Sequence, residues 1–226
     1  STETSKKTKI YNYDGGIINA DKRSIYILSG EGIELYNNNG ATIEADDGTY
    51  GVNFRGSSDI TIDNAGTISS SGGFAVGLWE TSTSNLDNSG TISTDGNYGV
   101  HCLECANLTL TNSGTISAGE QRGVYLPEAT GTNTITNSGT ISSVGLGAVD
   151  IREATGVTLV NLGTLSAGGR PVDAAGAVAP TIRNYGTITS LASKASGIGI
   201  DLTQQDADNL GSGATITNSG TIEALG

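Results

Sequence analysis

The residues best suited to chemistry lie together in one stretch, His101-Cys102-Leu103-Glu104-Cys105, and the chain has no other His or Cys. A zinc site takes about four ligands, so this set is too small for one. A redox-active thiol pair normally starts a helix, and the sequence predicts no helix here. We expect two buried thiols or a local disulfide between Cys102 and Cys105. A disulfide would suit an oxidising compartment.

Carboxylates occur in two arrangements that could bind a cation. Glu44, Asp46 and Asp47 form an acidic loop, but they lack the regular ligand spacing of a calcium-binding loop. A glutamate also recurs at one repeat position, as Glu80, Glu104, Glu128 and Glu153. Stacked like charges repel unless each has a donor. We interpret the first set as a solvated turn and the second as acceptors of turn N–H groups, with cation binding as the alternative.

Catalysis has little support. No Ser-His-Asp set is visible, and His101 has no obvious nucleophile beside it. Asp63 and Asp87 occupy equivalent repeat positions, and a glycosidase needs a carboxylate pair at a suitable separation. That pair is the only hint of polysaccharide cleavage, so the sequence predicts no enzyme and no cofactor.

Two places are candidates for ligand binding. Trp79, the only Trp, follows an inward-facing Leu78 and therefore points outward, where it could stack on a sugar or join a protein interface. The segment 203–213 makes one repeat about ten residues longer than the others, and it contains Asp206 and Asp208. Projecting loops often bind ligands, although a neutral surface insertion is the alternative.

A repeated motif, Asn-Ser-Gly-Thr-Ile-Ser, organises the whole chain. It is complete at 112–117 and 137–142, and near copies begin at Asn64, Asn88, Asn161, Asn184 and Asn218. Looser copies begin at Asn12 and Asn38, and successive copies are mostly 23 to 26 residues apart. A fixed period in this range is typical of a repeat architecture.

Each repeat contains three short runs of alternating polar and apolar residues, bounded by Gly, Asn and Ser. This pattern indicates β-strands, and no window shows a helical stripe. The sequence therefore predicts an all-β fold, a single-stranded parallel β-helix (β-solenoid). It has three strands per coil and about nine coils of 23–26 residues.

Stacked coils place equivalent residues about 4.8 Å apart, so the apolar positions should form columns inside the solenoid. One column is Ile43, Ile68, Ile92, Ile116, Ile141, Leu165, Ile188 and Ile222. A second is Val52, Val76, Val100, Val124, Val149, Val172 and Ile198. A third is Phe54, Leu78, Cys102, Leu126, Ile151, Ala174 and Ile200. A fourth is Ile62, Leu86, Leu110, Ile135, Leu159, Ile182 and Ile216.

The Asn and Gly of the motif predict turns. Asn tolerates left-handed backbone angles, and the Gly two positions later is expected to take a positive φ. Stacked Asn amides should hydrogen-bond from coil to coil as a ladder. A ligand-binding role for these Asn residues is the alternative.

These serial Asn-x-Gly-Thr-Ile repeats resemble the passenger regions of bacterial autotransporters and related surface proteins. The resemblance covers 38–226 well and the first coil loosely. It implies a secreted bacterial protein at the cell surface, and such passengers include adhesins, stalks and some enzymes. The chain would then be a piece of a longer passenger or a free-standing solenoid.

Composition limits the partners. A net charge of −12 argues against nucleic acid, which needs a basic patch, and no apolar run is long enough to insert in a membrane. We divide the chain into a flexible basic N-terminal arm, 1–9, and a single solenoid domain, 10–226.

The two ends suggest self-assembly. The first end carries Lys6, Lys7, Lys9 and Ile10, and the last carries Ile222, Glu223 and Leu225. A basic head and an acidic tail suit head-to-tail stacking into an extracellular fibre, because such contacts do not close. Our first functional hypothesis is thus a structural stalk or fibre subunit, with adhesion to a surface glycan as an extension of that role. A carbohydrate-binding or carbohydrate-cleaving β-helix is the alternative.

A third hypothesis rests on the outward Thr-x-Ser or Thr-x-Thr pairs, which begin at Thr67, Thr91, Thr115, Thr140, Thr164 and Thr187. Two parallel hydroxyl files on a flat strand face resemble an ice-binding surface. Thr is also favoured on exposed strands for its β propensity alone.

Overall fold

The computed structural model describes residues 7–191, 197–203 and 213–225. These residues form 26 strands, numbered β1 to β26 in chain order, and every strand pairs in parallel with its neighbours. Within the same ranges no helix is long and apolar enough to cross a membrane.

Three parallel sheets make the sides of the solenoid. Sheet A consists of β1 (Thr8–Asn12), β4 (Glu31–Asn37), β7 (Ser58–Asn64), β10 (Ser82–Asn88), β13 (Ala106–Asn112), β16 (Asn133–Asn137), β19 (Val157–Asn161), β22 (Thr181–Asn184) and β25 (Thr215–Asn218). Sheet B consists of β2 (Ile17–Ala20), β5 (Thr42–Ala45), β8 (Thr67–Ser70), β11 (Thr91–Thr94), β14 (Thr115–Ala118), β17 (Thr140–Ser143), β20 (Thr164–Ala167), β23 (Thr187–Ser190) and β26 (Thr221–Ala224).

Sheet C consists of β3 (Arg23–Leu28), β6 (Tyr50–Arg55), β9 (Phe74–Trp79), β12 (Tyr98–Leu103), β15 (Arg122–Tyr125), β18 (Gly147–Asp150), β21 (Val172–Asp173) and β24 (Ile200–Asp201). Each coil contributes one strand to each sheet, in the order A, B, C along most of the chain. The predicted all-β parallel solenoid with three strands per coil is confirmed.

The core lies inside the three sheets and is built largely from the predicted apolar columns, although their last members, Ile216 and Ile222, are 43% and 37% exposed. On sheet B, Ile92 pairs with Ile68 on one side and Ile116 on the other, and all three are fully buried. No coil encloses its apolar residues alone, because each column is covered by the coils above and below. Stacking therefore supplies the burial that stabilises every coil.

The last coil departs from the predicted columns. Ile200, not Ile198, pairs with Val172, and Ile198 is 36% exposed. The register is fixed by backbone hydrogen bonds from Val172 N to Gly199 O and from Ala174 N to Asp201 O. A shift of two residues keeps the same side chains facing the core, so the alternating pattern could not distinguish the two registers.

The predicted Asn ladder is confirmed along the whole solenoid. Each side-chain Nδ2 donates to the Oδ1 of the next rung over 2.7 to 2.9 Å. The rungs are Asn12, Asn37, Asn64, Asn88, Asn112, Asn137, Asn161, Asn184 and Asn218. The second rung is therefore Asn37 and not Asn38. Each Nδ2 also lies within hydrogen-bond distance of a Thr carbonyl in the next coil.

The structural reason why the repeated motif contains a Gly differs from our prediction. Gly66, Gly90 and Gly114 do not adopt a positive φ, although Gly15 and Gly40 in the first two coils do. At Gly114 a Cβ would collide with the carbonyl oxygen of Gly90 in the preceding coil. Gly is required there because the two backbones approach too closely for any side chain.

Replacing a central rung of the ladder should destabilise the solenoid far more than replacing the last one. Asn112→Ala removes a buried amide, so Asn88 Nδ2 loses one acceptor, and Asn137 Oδ1 and the Thr140 carbonyl each lose a donor. We expect a loss of at least about 3 kcal/mol in unfolding free energy, measured by urea denaturation. Asn218→Ala is the control, because Asn218 is exposed, and it should cost less than about 1 kcal/mol. Equal effects of the two changes would contradict the ladder's structural role.

Candidate binding face on sheet C

The outer face of sheet C concentrates the side chains that recognise ligands. It carries six of the chain's eleven Phe, Tyr and Trp residues, five of its six Arg residues and its only His. The aromatic residues are Tyr26, Tyr50, Phe74, Trp79, Tyr98 and Tyr125. The arginines are Arg23, Arg55, Arg122, Arg152 and Arg170. This one side of the solenoid is chemically unlike the other two.

One column runs down the middle of this face. Because successive side chains alternate across a strand, the residue between two core positions points outward. The outward residues of successive coils stack in register, and we call this stack the central column. Its members are Tyr26, Asn53, Gly77, His101, Tyr125, Asp150, Asp173 and Asp201. Gly77 leaves a gap in the column, since it has no side chain.

Six rings pack together on coils two to five, and we call them the aromatic cluster: Tyr50, Phe74, Trp79, Tyr98, His101 and Tyr125. Ring centroids of Tyr50 and Phe74 lie 5.0 Å apart, and those of Phe74 and Tyr98 lie 5.3 Å apart. His101 stacks on Tyr125 at 5.2 Å. Apart from the buried His101, the rings are half-buried, so each keeps part of its surface in contact with solvent.

His101 is held in the neutral state inside this cluster. Its Nδ1 accepts a hydrogen bond of 3.2 Å from Trp79 Nε1, which places the imidazole proton on Nε2. Burial, and then the positive charge of Arg122, lower the pKa of His101 to about 4. At neutral pH the residue therefore acts as an uncharged ring with one free donor.

The face also contains unsatisfied polar atoms. Within the described ranges, three buried side-chain atoms have no hydrogen-bond partner: Asn53 Oδ1, His101 Nε2 and Asp201 Oδ2. All three belong to the central column. Buried polar atoms are normally paired, and an exception needs a reason such as a ligand that supplies the partner. One of the three is a donor and two are acceptors.

After Tyr125 the residues of the central column change from aromatic to acidic, and neighbouring arginines compensate the negative charge of the aspartates. We call Arg122, Arg152, Arg170 and the three column aspartates the arginine–aspartate cluster. Arg122 Nε and Arg152 Nε both donate to the fully buried Asp150. Arg170 Nη1 lies 3.5 Å from Asp173 Oδ2. Burial, and then the neighbouring Asp150 carboxylate, raise the pKa of Asp173.

A pocket of about 350 Å³ opens in the middle of this cluster. It is lined by the three arginines together with Leu146, Gly169 and Asp173. Arg170 Nη1 lies 2.9 Å from Asp201 Oδ2 and forms an ion pair with it, without hydrogen-bond geometry. Among the described residues, Arg152 donates hydrogen bonds only to Asp150, through its backbone N and its Nε, so its terminal nitrogens add unused donors to the cluster.

Trp79, a candidate from the sequence, belongs to the aromatic cluster. Its ring makes edge contacts with Tyr50 at 5.5 Å and His101 at 5.8 Å, and the Arg55 guanidinium lies 5.8 Å from its centroid. The ring is half-buried instead of standing alone on the surface. The other two candidates, Asp206 and Asp208, and most of segment 203–213 lie outside the described residues.

The structure joins Cys102 and Cys105 in a disulfide, with their Cα atoms 5.5 Å apart. Both residues are buried at the corner between sheets C and A. The equivalent pair in the next coil is Leu126 and Ala129, also buried. The pair thus occupies ordinary core positions and contributes no free thiol.

The predicted contact residues lie at opposite ends of the solenoid. Lys9 and Ile10 belong to the edge strand β1, and Lys9 Nζ lies 2.6 Å from a Glu34 carboxylate oxygen. Lys7 lies 3.8 Å from the same carboxylate group. At the other end, Ile222 and Glu223 lie on β26 and Leu225 follows it, all exposed, whereas Lys6 lies outside the described residues.

The recurring glutamates mark a turn. Glu80, Glu104, Glu128 and Glu153 adopt φ values of +53°, +50°, +55° and +61° at the corner after sheet C. Other coils place Ser29, Gly56 or Gly176 at this position. Glu80 pairs with Arg55 over 2.9 Å. Among the described residues, no group of three or more His, Cys, Asp or Glu is arranged to hold a metal ion.

Two other sequence predictions concern residues that stack in adjacent coils, and the strand register confirms the stacking in both cases. Asp63 pairs with Asp87 on sheet A. On sheet B, Thr91 pairs with Thr67 and Thr115, which produces the outward Thr file. Stacking alone assigns neither cleavage nor ice binding.

Sequence reasoning identified Trp79 but missed the rest of the face. The signal was present in Tyr50-Gly-Val, Phe74-Ala-Val, Tyr98-Gly-Val and Arg122-Gly-Val, which repeat at intervals of 24 residues. Reading outward positions as columns, as we did for the inward ones, would have revealed the change from aromatic rings to arginine.

Comparison of the chain with protein-family models, with curated proteins and with solved structures finds no match. The resemblance to passenger repeats therefore remains one of sequence pattern and fold.

The buried neutral His101 should make the protein less stable in mild acid. Because its pKa is lowered to about 4 in the folded state, its contribution is complete above the unfolded pKa of 6.5 and is lost as pH falls toward 4. Between pH 7 and 4.5 this amounts to about 2.5 kcal/mol. Urea denaturation should show this loss in the native protein relative to His101→Phe, which keeps a ring and cannot titrate. The same pH dependence in both proteins would contradict the assignment.

Proposed function

We propose that the protein is a structural β-solenoid whose sheet C face binds carbohydrate, so that it works as an adhesive stalk at a bacterial cell surface. The observation that carries this proposal is the central column. Two buried polar atoms without a hydrogen-bond partner among the described residues, Asn53 Oδ1 and His101 Nε2, lie there on the same coils as half-buried aromatic rings. This combination of ring faces with free donors and acceptors is what a sugar requires.

The physical fit is direct. The apolar face of a pyranose ring stacks on Tyr, Phe or Trp, and its hydroxyl groups both donate and accept hydrogen bonds. Because both atoms are buried, a sugar hydroxyl would reach the His101 Nε2 donor or the Asn53 Oδ1 acceptor only by displacing a neighbouring side chain. Coils rise by about 4.8 Å, which is close to the length of one sugar residue, so a polysaccharide along the axis would meet one ring per coil.

The secreted location rests on two arguments. The repeats resemble passenger regions, and the Cys102–Cys105 disulfide suits an oxidising compartment. A rigid solenoid also holds its binding face at a fixed distance from its point of attachment, which is the property a stalk needs.

Glycan binding should depend on the aromatic cluster. On a broad glycan array, we expect binding that falls about tenfold or more in Trp79→Ala and in Tyr98→Ala, because each change removes a stacking surface. Tyr185→Ala is the matched control, since Tyr185 is 49% exposed and lies next to β22 on sheet A. No binding across the array, or equal losses in all three variants, would contradict the proposal.

Head-to-tail assembly is a second candidate, favoured by the polarity of the Asn ladder. From Asn12 to Asn184 every rung donates toward the last coil, so a further rung after Asn218 would accept from its Nδ2, and a rung before Asn12 would donate to its Oδ1. The strands β25 and β26 are exposed along their length. A second copy placed with Asn12 above Asn218 would continue the ladder and cover Ile222.

Negative-stain electron microscopy of the untagged protein tests this assembly. We expect fibres with an axial repeat of roughly 40 Å, the length of about nine coils. Ile222→Glu should abolish them by placing a charge in the contact, and Trp79→Ala, remote from both ends, should not. Isolated short rods at high concentration would overturn the assembly and leave the carbohydrate proposal unaffected.

A further inference from the structure

We propose that the polysaccharide bound by sheet C is acidic, and that the arginine–aspartate cluster is a subsite for the carboxylate of a uronic acid residue. This inference rests on the proposed carbohydrate binding and specifies its ligand. The neighbouring sugar residues of the same chain would lie along the aromatic cluster.

The first argument is the distribution of charge. The chain has a net charge of −12, yet five of its six arginines lie on this single face. In the arginine–aspartate cluster the Asp150 and Asp201 side chains are 0% and 2% exposed, and Asp173 and Arg122 are both 9% exposed. The side chains of Arg152 and Arg170 are 28% and 43% exposed. An approaching ligand therefore meets guanidinium groups first.

The second argument is the number of unused donors. An arginine has five N–H donors in a planar fork. Arg152 hydrogen-bonds Asp150 through Nε, which leaves its two terminal nitrogens to face elsewhere. Arg170 contacts Asp201 without hydrogen-bond geometry. Carboxylates accept such paired donors in a bidentate manner, and Asp150 already holds the Arg152 fork in place.

The third argument is the position of the pocket. It is about 350 Å³ in volume, and it follows directly after Tyr125, the last ring of the aromatic cluster. The Arg122 guanidinium lies 4.6 Å from the Tyr125 ring centroid and also lines the pocket. Leu146, which is 52% exposed, provides an apolar wall for a sugar ring. A polysaccharide along the axis would thus pass from the rings into the pocket without a change of direction.

A purely structural role for the arginines is the competing explanation, because buried aspartates need compensating charge. Asp150 has two arginine partners, and removing Arg122 would leave much of that charge buried. The test therefore uses Arg170, the most exposed of the three arginines. Arg170→Lys retains the positive charge near Asp173 and Asp201 but loses the planar fork.

The experiment compares two probes by isothermal titration calorimetry: a hexamer of galacturonic acid and the same hexamer with its carboxyl groups reduced. The native protein should bind the acidic probe at least about tenfold more tightly in 50 mM salt. This preference should shrink in 500 mM salt because exposed charges are screened. Arg170→Gln and Arg170→Lys should each lose most of the preference while retaining affinity for the reduced probe.

Arg183→Gln is the matched control, because Arg183 lies exposed on β22 of sheet A and its loss changes the net charge equally. It should keep the full preference for the acidic probe. Circular dichroism establishes that each variant is folded, and Arg170→Lys remains informative if Arg170→Gln is not.

The outcomes separate the two proposals. Equal affinity for both probes, or a preference that survives in both Arg170 variants, would overturn the uronate subsite while carbohydrate binding stands. A preference lost equally in Arg183→Gln would reduce the effect to net charge and also overturn the subsite. If neither probe binds and the glycan array is empty, the proposed function itself fails.

Discussion

Each coil of this protein is stable only because the next coil completes it. The clearest form of this dependence is the Asn ladder, in which every buried amide donates to the next rung and to a backbone carbonyl beyond it. Removing one rung breaks hydrogen bonds to both neighbouring coils and takes the rung donor from the next Asn Oδ1, and unpaired buried groups are costly. The apolar columns obey the same rule, since no coil can cover its own side chains.

This dependence also limits what a position can contain. In parallel stacking like residues lie on like, which suits Ile on Ile, ring on ring and amide on amide. It penalises stacked charges, and the aspartates Asp150, Asp173 and Asp201 form such a stack. This stack is tolerated because arginines at the flanking positions form ion pairs with the carboxylates: Arg122, Arg152 and Arg170. Neutral side chains at these positions would avoid the repulsion between stacked carboxylates. A stack of aspartates on an outer face therefore suggests a functional role and not a purely structural one.

The same geometry explains why one face can be specialised without disturbing the others. Core columns and the ladder hold the backbone, so outward residues on each sheet are free to differ. Sheet B presents Thr and Ser, sheet A mixed polar residues, and sheet C rings followed by arginines. Since the core columns and the ladder hold the backbone beneath sheet C, a ligand of the proposed kind would find the rings and arginines already in position, which lowers the entropy cost of binding.

The sequence by itself determined the architecture of this protein. Period-two alternation and a repeat of about 24 residues define three strands per coil, the apolar columns and the Asn ladder, because these features follow from local spacing. Tertiary structure decided what local spacing leaves open. The structure pairs Ile200, not Ile198, with Val172, and the sequence could not distinguish them because a two-residue shift of the strand leaves the same side chains facing the core. It also shows that Gly114 is required because its backbone closely approaches the preceding coil.

Only the folded protein showed that Asn53 Oδ1, His101 Nε2 and Asp201 Oδ2 lack hydrogen-bond partners among the described residues, and that the arginines surround a pocket. Which outward side chains touch, and which of their atoms remain unpartnered, depends on side-chain directions across several coils. Sequence order specifies which residues share a column, but the contacts between columns are set by packing.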